Sequence, residues 1–142
     1  MKASDLFVKC LEEEGVTRIF GVPGEENADF MISLKQSKKI EFILCRHEQA
    51  AAFMADAYGR LTGKAGVCLS TLGPGVTNLM TGLADANMDR SPVVAIIGQG
   101  STNRLHKESH QIMDSISMVH PISKWAQTIL SPKNITEVVR KA

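Results

Sequence analysis

A single acid, Glu48, heads the stretch "RHEQAAAFMADAYGRLTG", residues 46 to 63, which is otherwise rich in alanine and apolar side chains. A carboxylate at a helix start is favoured by the helix dipole as a plain surface group. Held where water is scarce, the same group binds its proton more tightly unless it is paired, which suits proton exchange with a ligand. Two other stretches, "GVPGEEN" and "TLGPGVTN", carry glycines that let the backbone approach something flat or anionic. Whether these three act together depends on the elements that position them.

"TLGPGVTN" fails as a dinucleotide fingerprint. Asn78 stands at the third glycine position, and about 20 residues beyond Gly73 the chain is at Val93, with no acid to hold a ribose. No Gly-Lys-Ser/Thr follows a glycine loop, so a phosphate-binding loop of that kind is absent too. A tight "GPG" turn without a ligand remains open on these residues alone.

The elements alternate. "SDLFVKCLEEEG" repeats apolar residues at Ala3, Leu6, Phe7, Cys10 and Leu11, with Ser4 or Asp5 as cap and Gly15 as stop. "TRIFGV" reads as a strand ended by Pro23 and Gly24. "NADFMISLKQS" is the next helix, capped by Asn27, and "EFILC" the next strand. The Glu48 helix runs to Gly63. "AGVCLST" is a third strand, "VTNLMTGLADANMD" a helix with Val76, Leu79, Met80 and Leu83 on one side, and "PVVAIIG" a fourth strand. Strands separated by helices predict parallel pairing through crossovers, and apolar runs such as "VVAIIG" predict a sheet covered on both faces. The fold class is therefore α/β: doubly wound, with a mainly parallel sheet and helices on both faces. Ligands in such sheets collect beyond the carboxyl ends of the strands, where "GVPGEEN", "RHE" and "TLGPGVTN" all fall. Beyond Gly100 the polar "STNRLHKESHQIMD" predicts a long loop, and "PKNITEVVRKA" begins a helix.

Within its helix, Glu48 shares a side with Ala52 and Ala55, while Gln49, Asp56 and Arg60 gather on a narrow polar strip. Most of the circumference is apolar, so the helix is expected to be buried nearly all round, by the sheet and by a partner subunit. Asp56 and Arg60 read as a surface pair of small value. His47 is expected to pack or hydrogen-bond locally rather than act as a base, and Trp125 to pack. His106 and His110 are four apart with Glu108 between them, but the segment lacks helical periodicity and a third ligand, so no metal site is assigned.

The composition narrows the class. The 142 residues are 44% hydrophobic and 22% charged with a formal charge of +1, which describes a globular domain and gives no electrostatic reason for a nucleic-acid or membrane partner. No run is long enough to span a membrane, and acids occupy the place of a signal peptide's apolar block, so a cytoplasmic location is expected. Cys10, Cys45 and Cys68 lie in apolar segments as reduced core residues.

With "GVPG", "RHEQAAAFMADAYGRLTGKAGVCLSTLGPGVTNLMTGLADANMD" and "PVVAIIGQ" in this order and spacing, the chain resembles a known family. It is similar to the N-terminal, pyrimidine-binding domain of thiamine-diphosphate enzymes of the acetolactate synthase (acetohydroxyacid synthase large subunit) type. The likeness runs from about Ala3 to Trp125 and weakly to the end. It implies that Glu48 falls on the glutamate that hydrogen-bonds N1′ of the cofactor's aminopyrimidine. That bond favours the imino tautomer that removes the C2 proton, and the resulting ylid attacks a 2-oxo acid that then loses CO2. The acid would stand alone because its partner is thiamine diphosphate. By the same resemblance Gly73, Pro74, Gly75 and Asn78 bind the cofactor, and Gln111 reaches toward the reacting centre. Val22, Pro23 and Gly24 border the substrate side.

The implied activity is condensation of two pyruvates, or of pyruvate and 2-oxobutanoate, to a 2-acetohydroxy acid, a transferase reaction of branched-chain amino acid biosynthesis. Another thiamine-diphosphate decarboxylase or carboligase, and a non-catalytic module of the same fold, are the alternatives. The chain departs from the pattern at Glu25 and Glu26, where a small residue is common, at Leu72 in place of serine and at His110 in place of phenylalanine. The acids add negative charge beside a site for an anionic substrate. The Gly-Asp-Gly and later Asn pair that mark the diphosphate- and Mg2+-binding domain in the family do not occur here. Residues 1–142 are therefore expected to be the pyrimidine-binding domain of a longer enzyme, inactive alone. Its sites would form between subunits of a homodimer or homotetramer, and FAD is possible on a middle domain.

Overall fold

Alternation along the strands sorts the core into two halves, one on each side of a four-stranded parallel sheet ordered β2-β1-β3-β4. The computed structural model describes residues 1–105 and 107–142. The strands are β1 (Arg18–Gly21), β2 (Glu41–Leu44), β3 (Gly66–Ser70) and β4 (Val93–Ile97). The helices are α1 (Ala3–Glu13), α2 (Ala28–Leu34), α3 (Glu48–Thr62), α4 (Pro74–Met88), α5 (Ser115–Val119) and α6 (Ile135–Lys141). Ile19 pairs with Val67, and Phe20 with Cys68. Because neighbouring strand residues face opposite sides, Ile19, Val67 and Leu69 meet Val8 and Leu11 of α1, Leu34 of α2, and Ile135 and Val139 of α6. Cys68, with Phe20 and Ala95 beside it, meets Ala51, Ala52 and Ala55 of α3 and Leu79 and Leu83 of α4. This is the doubly wound arrangement expected from the sequence.

Several local expectations are corrected. The α1 cap is Lys2, not Ser4 or Asp5. Asp5 instead reaches back, its Oδ2 accepting the Lys2 amide at 3.0 Å. Asn27 does hold the N-cap position of α2 as expected, but its side chain turns back, Oδ1 accepting the Gly24 amide at 2.9 Å instead of bonding the helix, and a 3-10 turn at Glu25–Asn27 precedes it. "GPG" is not a free turn, since Pro74 and Gly75 already belong to the first turn of α4. Only Gly73 stands outside, at φ +57. Proline suits that first turn, where its missing N–H costs nothing. Among the strands, β3 is buried throughout, whereas β4 is half-buried, because it forms an edge of the sheet. The segment beyond β4 also yields a short helix, α5, that the sequence did not announce.

The polar strip of α3 is stronger than a surface pair. Asp56 is only 5% exposed, and the Arg60 Nε donates to both its oxygens at 2.9 Å. The same guanidinium reaches Asp85 of α4 at 2.9 Å and also Asp89, so it ties the two helices together. The Arg60 hydrogen bond holds the Asp56 carboxyl below the usual range for aspartate, against the opposing effect of burial. Its folded pKa is thus lower than its unfolded one. The stabilisation is present above about pH 4 and is lost as the pH falls through the folded value. Asp56→Asn is expected to lower the urea midpoint at neutral pH and to flatten its decline below about pH 4. Parallel acid limbs for the two proteins would refute this role.

Candidate functional site

The strand order reverses direction between β1 and β3, and there the loops after both strands meet. The amide of Val22 donates to the Leu69 carbonyl at 3.3 Å. Gly24 lies so close to β3's loop that a Cβ on it would fall 2.5 Å from the Thr71 Cβ. The loop continues over the end of β3 toward β4, where Gly98 packs against Glu26. Ligands of open α/β sheets bind at such switch points.

Glu48 enters this edge from β2. His47 caps α3, its Nδ1 accepting the Gln49 amide at 3.1 Å, which is the local bond expected of it. Glu48 then lies in the first helical turn and is 9% exposed. The acid does not stand alone. The Nδ2 of Asn78, one turn into α4 and 30 residues away in sequence, donates to Glu48 Oε2 at 2.9 Å. The expectation of a carboxylate without a side-chain partner is therefore corrected. Asn78 takes one oxygen and orients the group.

The second oxygen faces Gly75. A Cβ on Gly75 would lie 3.5 Å from Glu48 Oε1 and 3.2 Å from both Ser70 Cβ and Thr71 Cγ2. The absent side chain leaves a small cradle beside the carboxylate. Leu72, which stands where the resemblance has a serine, is only 2% exposed. Gly73 brings up Gln111, whose carbonyl oxygen would lie 2.7 Å from a Cβ added at Gly73. Pro23 and Gln111 are exposed, and Val22 and Gly24 are half-buried. Glu48, Gly75 and Asn78 thus meet directly, Gly73 joins Gln111 to them, and Val22–Gly24 approach through Thr71. A broader cleft of about 2040 Å³ runs along β4, and Glu48 does not line it.

The remaining candidates are placed elsewhere. His106 lies outside the described residues, and among those described no three His, Cys, Asp or Glu side chains gather as a metal set. Cys45 and Cys68 are buried free thiols, the latter pushed up to about 12 by burial. Trp125 packs under the Lys141 ammonium, 5.0 Å from the ring centre. Within this chain α3 is not covered all round: Ala50, Phe53, Met54, Ala57 and Leu61 are exposed along one side.

A family model described as thiamine pyrophosphate enzyme, N-terminal TPP binding domain, matches residues 1–118. The chain belongs to this family. Among curated relatives of this thiamine pyrophosphate enzyme domain, it is 46% identical to an acetolactate synthase of Bacillus subtilis over 99% of its own length and 25% of the relative's. It is 45% identical to a probable acetolactate synthase large subunit of Methanocaldococcus jannaschii, covering 100% of the chain and 24% of the relative. It is also 45% identical to a catabolic acetolactate synthase of Raoultella terrigena, over 98% of the chain and 25% of the relative. The chain thus spans about a quarter of the length of these relatives. Among the described residues no helix is long and apolar enough to cross a membrane.

Proposed function

We propose that this chain forms the pyrimidine-binding side of an acetolactate synthase, which joins two pyruvates, or pyruvate and 2-oxobutanoate, with loss of CO2. The observation that carries the reading is the buried Glu48 carboxylate, oriented by Asn78 and open toward Gly75. The arrangement fits an aminopyrimidine, which needs a shielded proton acceptor beside a flat gap. In this role Glu48 holds and exchanges the proton at N1′. Gly73, Pro74, Gly75 and Asn78 wall the ring, Val22, Pro23 and Gly24 border the substrate, and Gln111 stands at the reacting centre. When bound, the cofactor supplies the electron sink for decarboxylation and carbon–carbon bond formation.

The chain's own contribution is orientation and proton control. Diphosphate, Mg2+ and any FAD would be held by protein outside these residues. A homodimer or homotetramer is supported by the apolar side of α3, since exposed helix faces of this kind mark contact surfaces. A cytoplasmic setting in branched-chain amino acid biosynthesis completes the proposal. The test is the full-length protein with thiamine diphosphate, Mg2+ and pyruvate. Acetolactate is expected, with none from residues 1–142 alone. No acetolactate from the full-length protein overturns the assignment, and turnover by the isolated chain overturns its dependence on the missing parts.

A further inference from the structure

Glu26 adds a negative charge next to the site proposed for an anionic substrate, and the structure gives that charge a partner. Arg104 Nη1 donates to Glu26 Oε1 at 2.7 Å, across 78 residues of sequence. The same guanidinium uses Nε to hold Ser109 Oγ at 3.1 Å. Neither partner is fully exposed: the side chain of Glu26 is 20% exposed and that of Arg104 is 38%. One side chain therefore joins the β1 loop to two points of the segment that follows β4.

That segment is otherwise held by short backbone turns, such as the Ile112 amide on the Ser109 carbonyl at 3.2 Å, and by Ile112 packed on Gly100. Between Ile97 and Ser115 the described residues form no helix or strand. Its ends are tied where Gln99 Nε2 donates to the Met113 carbonyl at 3.0 Å. Its far side carries Gln111 at φ +58, pressed against Gly73. A glutamine in the left-handed region persists only while its surroundings hold it there. Loops without buried ladders open at low free-energy cost, so a single part-buried ion pair has leverage here.

We infer that Arg104 is a positioning residue, its ion pair with Glu26 clasping the post-β4 segment onto the β1 loop so that Gln111 stays seated beside the Gly73 turn. The inference rests on the acetolactate synthase reading for its catalytic consequence but not for the clasp itself. Glu48 and Asn78 belong to α3 and α4 rather than to the clasped segment, and the clasp approaches the cofactor side only through the contact of Gln111 with Gly73, so most of the cofactor affinity is expected to survive its loss.

The test compares Arg104→Ala and the reversed pair Glu26→Arg/Arg104→Glu with wild type, all as full-length protein. In Arg104→Ala, kcat/KM for pyruvate is expected to fall about 10- to 100-fold, the scale of a small misplacement. The Kd for thiamine diphosphate should change far less than kcat/KM, and the reversed pair should recover most of the loss. Amide exchange across 99–105 and 107–113 should be faster in Arg104→Ala and near wild type in the reversed pair. Wild-type amide exchange in Arg104→Ala overturns the clasp, whatever reaction the enzyme performs. An unchanged kcat/KM, or a matched loss of cofactor affinity, overturns the positioning role. Absence of acetolactate from wild type would instead strike the functional reading and leave the exchange result to decide the clasp.

Discussion

Glu48→Gln in the full-length protein is expected to slow acetolactate formation by about 10²–10⁴-fold, the usual scale of a lost general acid–base group. The substitution preserves volume and an oxygen that can still accept the Asn78 amide, whose bond to Glu48 Oε2 is 2.9 Å in the native chain. What it removes is the ability to exchange a proton at the pyrimidine nitrogen. Folding should therefore be spared while chemistry is not. Two readouts separate these effects: thermal unfolding, which should shift little, and the exchange rate of the cofactor's C2 proton, which should fall in step with turnover. A variant that exchanges this proton at the native rate would remove Glu48 from the mechanism.

Gly66→Ala is expected to destabilise the chain by about 3 kcal/mol or more, at or beyond the upper end for overpacking a core. A Cβ at Gly66 would fall 1.9 Å from the Ala55 carbonyl oxygen and 2.9 Å from its Cα. Those atoms are helix backbone, so no side chain can swing aside to make room. Relief requires α3 to lift off β3, which would open the contacts of Ala51, Ala52 and Ala55 with Cys68. A loss of that size is a large share of the roughly 5–15 kcal/mol that holds a typical domain. The fall in urea midpoint at unchanged slope is the measurement. A midpoint equal to wild type would show that α3 does not seat on β3 at this depth.

The pairing of Glu48 with Asn78 shows how much of the site could be read in advance. Both residues were legible as candidates, one at a helix start after β2 and the other in the glycine loop after β3. Their contact was not, because it depends on how closely α3 and α4 approach. That approach is set at Gly82, where a Cβ would come within 2.5 Å of the Ala52 Cβ. In sequence, Gly82 is only an unfavourable residue inside a helix. Arg104 was missed entirely. Its partner Glu26 drew notice as an excess charge, and an arginine 78 positions later carries no periodic or motif signal that could connect them.

By itself the sequence determined the alternation of four strands and the principal helices, the two-sided cover of the sheet and the edge where three loops gather. These follow from periodicity and turn chemistry, which act over a few residues. Tertiary structure alone decided the exact reach of side chains across that edge. It placed Asn78 on Glu48, Arg104 on Glu26 and Gln111 against Gly73, and it buried Asp56 under Arg60. The reason is distance. Hydrogen bonds and ion pairs form or fail within fractions of an ångström, and that margin depends on how whole helices pack rather than on the residues beside each group.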